Sequence, residues 1–314
     1  MSESTTNTNP TGPVLPEKPR RSKAPLIAGG VVVAAALAVG GWAVVGGDED
    51  GDVIRIGTTE ASQPHWEILK SKAAEEGVEV EIVNFSEYTL PNPALAEGEI
   101  DLNSFQHLLY LADHNVNTGD DLRPIGSTMI VPLPLYSEKY DSVDQFVKGD
   151  QVAIPNDSTN QARALFVLEG AGLVTFTGDP ASPTPDDVDE EASTVVVRPV
   201  EASQTAGLIK DADVAGVIVN NNFATDAGFD LENYLYADDP ESEGAKPYIN
   251  IFAARPGDVE NETYQKIVEL YHDPEVLESV VESSGGTAVI VEGYEADRLQ
   301  DVLEQTEANL EAGN

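Results

Sequence analysis

The stretch VAIPNDSTNQARAL (152–165) joins an apolar run to a helical pattern through a turn, and that junction decides the fold. Ala153 and Ile154 end the run, and Pro155 stops it, because proline has no N–H for a strand ladder. Asn156, Asp157 and Ser158 are turn and N-cap residue types, whose short side chains accept bonds from backbone N–H groups. Ser158 with Gln161 three residues later fits a capping box, the start signal of a helix. A strand feeding a helix through a short turn is the repeating unit of an α/β sheet. Arg163 falls in the second helical turn, near the positive end of the helix dipole, where a cation gains nothing. An anion arriving from outside the helix is the expected reason for it.

The same grammar runs outward in both directions. Upstream, VIRIGTT (53–59), VEVEIVNF (78–85) and IDLNSF (100–105) are expected strands. The segments 63–77, 91–99 and 108–115 are expected helices, the first with Trp66, Ile68, Leu69 and Ala73 as an apolar stripe and Gly77 as its stop. Downstream, 194–200, 214–220 and 248–257 are expected strands. Helices are expected at 160–173, 204–212 and around 261–272, 274–283 and 294–311, with the acidic stretch 177–193 as a loop. Strands alternating with helices over short connections predict an α/β fold with parallel pairing, in two lobes.

Composition narrows the function. The chain of 314 residues has 17 Lys and Arg against 56 Asp and Glu, a formal charge of −39. Nucleic acid is excluded as a partner, since phosphate contacts need clustered cations. There is no cysteine, hence no disulfide, no thiol nucleophile and no lipid-modified cysteine. Residues 1–23 are Ser-, Thr-, Asn- and Pro-rich and hold Lys18, Arg20, Arg21 and Lys23. The uncharged run APLIAGGVVVAAALAVGGWAVV (24–45) follows, about the 20 residues a bilayer requires, and then the acidic GGDEDGD. Cations before the span and acids after it put the N-terminus in the cytoplasm. The run exceeds a signal-peptide core of about 7–15 residues, so an uncleaved anchor is expected. The expected division is a cytoplasmic tail at 1–23, a transmembrane anchor at 24–46 and a linker at 47–52. One lobe then comprises 53–131 with 241–314, and the other 132–240.

Catalytic signatures are missing. The chain has no GxSxG elbow, no HExxH, no GxxxxGK[ST] and no GxGxxG after a strand. Its four histidines, His65, His107, His114 and His272, lack zinc spacing, and no metal or other cofactor is expected. In open α/β sheets ligands bind at the carboxyl ends of strands. Tyr88, Phe105 with His107, Arg163 and the run Asn220–Asn222 each follow one of four expected strands. Alone, each has an ordinary reading: a solvated arginine, an asparagine turn, a core phenylalanine. Their joint appearance favours a ligand cleft between the lobes.

The segments FSEYTLPNPALAEGEIDLNSFQHLLYL (85–111), VAIPNDSTNQARALFVLEGAGL (152–173) and VAGVIVNNNFATDAG (214–228) resemble the NlpA family, the methionine-binding lipoproteins of ABC importers. The resemblance runs from about Arg55 to beyond residue 280. It rests on a tyrosine, a Phe-x-His and an arginine in a Pro-Asn-Asp-x-x-Asn-x-x-Arg context, in that order. It implies the two-lobed fold of periplasmic solute receptors (type II), with the ligand clamped between lobes. Carried onto this chain, it implies that Arg163 grips the substrate carboxylate and that Asn220 and Asn250 bond the amino acid's polar end. Tyr88, Phe105 and His107 would line the rest of the pocket. It also implies an ABC permease and its ATPase as partners, with the receptor acting as a monomer. The family carries a lipid on an N-terminal cysteine; here the membrane anchor would replace it. The turn before the first helix departs from the family's glycine-rich form and reads TTEASQPHW (58–66).

Elementary chemistry agrees with that implication. A zwitterionic amino acid has no net charge, so an acidic envelope barely affects its approach. An Arg–carboxylate fork anchors it directionally, and aromatic walls suit a thioether. Two other classes compete: an enzyme of the same two-lobed fold acting on a small carboxylate, and a surface interaction protein. The first lacks a recognisable nucleophile–base pair.

Overall fold

The structure, a computed structural model, describes residues 53–293 and 296–313. The expected tail, anchor and linker lie outside these residues, and no helix among the described residues is long and apolar enough to cross a membrane.

The chain opens with β1 (Ile54–Thr58) and α1 (Pro64–Glu75). Pro64 sits in the first turn of α1, where its missing N–H would have had no helical partner, and Trp66, Leu69 and Ala73 are buried as the apolar stripe requires. There follow β2 (Val80–Asn84), α2 (Pro91–Ala96), β3 (Leu102–His107), α3 (Leu108–Thr118) and β4 (Arg123–Ser127). The chain crosses through β5 (Met129–Ile130) into β6 (Pro134–Tyr136), β7 (Asp150–Pro155), α4 (Ser158–Gly170), β8 (Val195–Val200), α5 (Ala202–Thr205), β9 (Val214–Ile218), α6 (Asn221–Asp226) and β10 (Tyr236–Ala237). It returns as β11 (Asn250–Ala254), α7 (Glu262–Tyr271), α8 (Pro274–Ser283), β12 (Val289–Ile290) and α9 (Ala296–Gly313).

Two five-stranded sheets result, in the orders β2-β1-β3-β11-β4 and β10-β6-β9-β7-β8, with a small β12-β5 pair beside them. Parallel pairing holds for β1 with β2 and β3, and for β7 with β8 and β9. The expectation of parallel sheets is corrected at their other sides. There β11 runs antiparallel between β3 and β4, and β6 runs antiparallel to β9 and β10. These short strands carry no alternation that a sequence pattern would register; β4 is RPIGS and β6 is PLY.

Three local expectations also change. The cap of α4 is Asp157, whose Oδ1 accepts from the Asn160 N–H at 3.0 Å, while Ser158 is already helical and its Oγ donates to Asp113 Oδ2 on α3. The helix expected at 204–212 is a single α-turn, α5, followed by a 3-10 run at Ala206–Lys210, with Gly207 weakening helical continuation. The strand expected to stop at Phe105 continues to His107, because β11 pairs with it that far.

Each sheet is covered by its own helices. Ile56, Leu102, Phe252, Trp66 and Tyr271 centre one core of the first lobe, and Val152, Ile154, Leu165, Leu168 and Ile218 centre a core of the second. Gly57 shows how tightly the other core of the first lobe, around Ile100 and Leu95, is closed. A methyl added there would overlap Ile100 Cδ1 and come within 2.9 Å of the Phe85 ring. Gly57→Ala should lower stability by about 1–3 kcal/mol through overpacking. Adding Ile100→Val, which removes that Cδ1, should restore part of the loss in urea-unfolding midpoints.

Candidate functional site

Both sheets present strand ends to one cleft. From the first lobe come the ends of β1 and β3 and, because β11 is antiparallel, its beginning, so that Asn250 stands opposite His107 in register. From the second come the starts of α4 and α6, which follow β7 and β9. A cavity of about 60 Å³ lies between them. Tyr88, Phe105, His107, Arg163, Asn220 and Asn250 all line it. The structure therefore brings together every residue expected at the site.

Arg163 is 5% exposed and held from behind. Its Nε donates to Asp238 Oδ2 at 2.6 Å and its Nη2 to the Val131 carbonyl at 2.8 Å. The guanidinium carbon lies 4.2 Å above the centre of the Tyr248 ring, a cation–π distance. Asp238 accepts a further bond at its other oxygen from the Leu133 N–H at 2.7 Å. Val131 and Leu133 belong to the first crossing between the sheets, Asp238 and Tyr248 to the second. The arginine is thus fixed by both crossings at once, and its charge is matched before any ligand enters.

His107 ends β3 and caps α3. Its Nδ1 accepts from the Tyr110 N–H at 3.0 Å, so the ring hydrogen sits on Nε2. That Nε2 is buried, with the Asn160 side chain near it but no well-formed hydrogen bond. Burial, and then the Arg163 charge, push its pKa down to about 3, so the ring is neutral. The cavity lining accordingly includes a neutral N–H donor. Asn220 is the reverse case: Nδ2 donates to Asn160 Oδ1 at 3.0 Å, while its Oδ1 is buried without a donor. Asn250 Nδ2 donates to the Met129 carbonyl at 3.2 Å.

Tyr88, Phe105 and Tyr110 form an aromatic wall with ring centres about 6 Å apart, and Phe223 reaches it from the other lobe at 5.1 Å. Tyr88 OH donates to Asn222 Oδ1 at 2.5 Å, and Asn222 Nδ2 to Thr59 Oγ1 at 3.2 Å. Ser62 Oγ adds a bond to Asp226 Oδ1 at 2.9 Å. All these bonds cross from lobe to lobe, so the cleft is closed.

Several groups here escaped sequence reasoning. Asn160 lies inside a segment already singled out, at a helix start that reads as a capping or turn asparagine. Asp238 was one acid among 56, and Tyr248 the first residue of an expected strand. Thr59 and Glu60 sat in the turn after β1, with no neighbouring motif to mark them.

The fold and its cleft define a two-lobed solute-binding protein. The NlpA lipoprotein family model matches residues 54–291, and the chain belongs to that family. The D-methionine-binding lipoprotein MetQ of Escherichia coli K12 is 33% identical over 258 residues, spanning 80% of this chain and 94% of the relative. Among solved structures, a periplasmic ABC-transporter substrate-binding protein from Coxiella burnetii is 32% identical at a TM-score of 0.69, covering 76% of this chain and 100% of that one. A nutrient-binding protein from Burkholderia cenocepacia bound to methionine is 29% identical at a TM-score of 0.70, covering 76% and 99%.

The neutral His107 sets a pH dependence. A histidine whose folded pKa is depressed contributes stability that is present above its unfolded pKa of about 6.5 and is lost as pH falls toward the folded value. Wild-type stability should therefore fall between pH 7 and pH 5 by more than that of His107→Gln, whose side chain does not titrate. Chemical denaturation of both proteins at the two pH values measures the difference.

Proposed function

We propose that this chain is the extracytoplasmic binding protein of an ABC importer, taking methionine or a close relative into the cleft and delivering it to a permease driven by an ATPase. The observation that carries this reading is Arg163: a buried guanidinium aligned from behind by Asp238, Val131 and Tyr248 while it lines the cavity between the lobes. A cation so held offers its remaining N–H groups to an incoming carboxylate at little further ordering cost. His107 Nε2–H supplies a neutral donor, and Asn220 and Asn250 meet the amino acid's polar end. Tyr88 and Phe105 give a thioether the aromatic contacts that stabilise it by roughly 0.3–1.5 kcal/mol. The methionine bound to the Burkholderia relative, and the names of the other relatives, support the same ligand.

The lobes divide at the two crossings, as 53–131 with 241–314 and 132–240, and ligand exchange opens the cleft about them. Residues 24–46 serve as the membrane tether in place of a lipid, leaving the N-terminus cytoplasmic and the binding lobes outside.

Two tests follow from this reading. Arg163→Ala should weaken methionine binding by roughly two orders of magnitude or more, since it leaves a carboxylate buried without its partner. Arg163→Lys should recover only part, because a point charge does not reproduce the fork, and the methyl ester should bind wild type poorly. Calorimetry in which Arg163→Ala binds as tightly as wild type would overturn the proposal. A chain beginning near Gly51 should be soluble and keep full affinity; a folded but non-binding truncation would refute the tether assignment.

A further inference from the structure

Glu60 lies in the turn between β1 and α1, where its N–H donates to Thr58 Oγ1 at 3.3 Å and its carbonyl accepts from the Gln63 N–H at 2.9 Å. Its side chain lines the ligand cavity and is 16% exposed. Among the described residues nothing donates a hydrogen bond to its carboxyl, and His65 Nε2 stands 3.8 Å from Oε1, beyond bonding range. The groups facing it from neighbouring elements do not neutralise it. His65 on α1 is 2% exposed, and burial pushes its pKa down to about 4, so it is uncharged at neutral pH. Tyr88 and, on α7, Tyr271 keep their protons, both raised by burial. Asp226 on α6 faces it across the cleft with a like charge. The cavity's one cationic lining residue, Arg163, is already engaged by Asp238. A carboxyl is thus aimed into a closed polar cavity with no counter-charge from the protein.

We propose that Glu60 determines specificity by accepting the protonated amine of the ligand, so that the site selects amino acids with a free ammonium group over deaminated or N-acylated acids. This rests on the reading of the cleft as an amino-acid site. The two ends of a zwitterion then meet separate partners, the carboxylate at Arg163 and the ammonium at Glu60. Burial and Asp226 push the empty-site Glu60 up to about 8, so at pH 7 it carries a proton. An ammonium beside it favours the carboxylate, and that proton leaves to solvent as the ligand binds.

Calorimetry with methionine and with its deaminated analogue, 4-(methylthio)butanoate, on wild type and Glu60→Gln tests this. Glu60→Gln should weaken methionine by roughly tenfold to a hundredfold and leave the deaminated acid within about twofold. Repeating the titrations at pH 7 in buffers of different ionisation enthalpy should reveal proton release for wild type with methionine and none for Glu60→Gln. Equal methionine affinity in the two proteins, or an equal loss for both ligands, would overturn the assignment of Glu60 while leaving the amino-acid reading intact. A wild type that binds neither compound would instead overturn the reading of the cleft itself.

Discussion

The bond between Arg163 and Asp238 is the constraint on which the rest of the cleft depends. A guanidinium buried to this degree is costly unless its hydrogen bonds and charge are met. Asp238, the Val131 carbonyl and the Tyr248 ring meet them, and all three come from the segments that join the sheets. The cation that the second lobe contributes to the cavity is therefore held by the segments that join the two sheets.

Around this pair, the cleft is built from groups whose bonding is half complete. His107 gives its Nδ1 to a helix start and keeps Nε2–H free; Asn220 gives its amide to Asn160 and keeps its oxygen. Unmet buried donors and acceptors cost free energy in a stable fold, and His107 Nε2 and Asn220 Oδ1 are two such groups on the lining of this cavity. The aromatic wall is tied to the opposite lobe where Tyr88 meets Asn222. Tyr88 thus both lines the cavity and holds the opposite lobe.

Much of this was legible in the sequence. The β1-α1-β2 and β7-α4 units announce themselves through apolar runs, a turn and an amphipathic helix, all local signals. Arg163 was legible because it violates a local preference, a cation near a helix N-terminus. The antiparallel strands were not. β11 earns its position only by pairing with β3 and β4, far away in the chain, and nothing in YINIFAARPG states its direction. Asn250 entered through family resemblance, and its place opposite His107 is a consequence of that pairing. Asp238 and Tyr248 were hidden for the same reason, because their role depends on a crossing that brings distant segments together. The Asp157 cap was missed by one residue, a difference that frees Ser158 to bond Asp113.

The central place of β11 has a consequence for how the molecule comes into being. All strands of the second sheet lie within Pro134–Ala237, so it can complete its ladder while the chain is still being made. The first sheet cannot: its strands β3 and β4 have no direct pairing and wait for a strand that emerges after the other lobe. Until then both present open edges, the kind that pair with the wrong partner. The cleft, where Asn250 stands opposite His107, is among the last features to form, and a chain cut short before β11 would leave a second lobe able to fold beside an unfinished first.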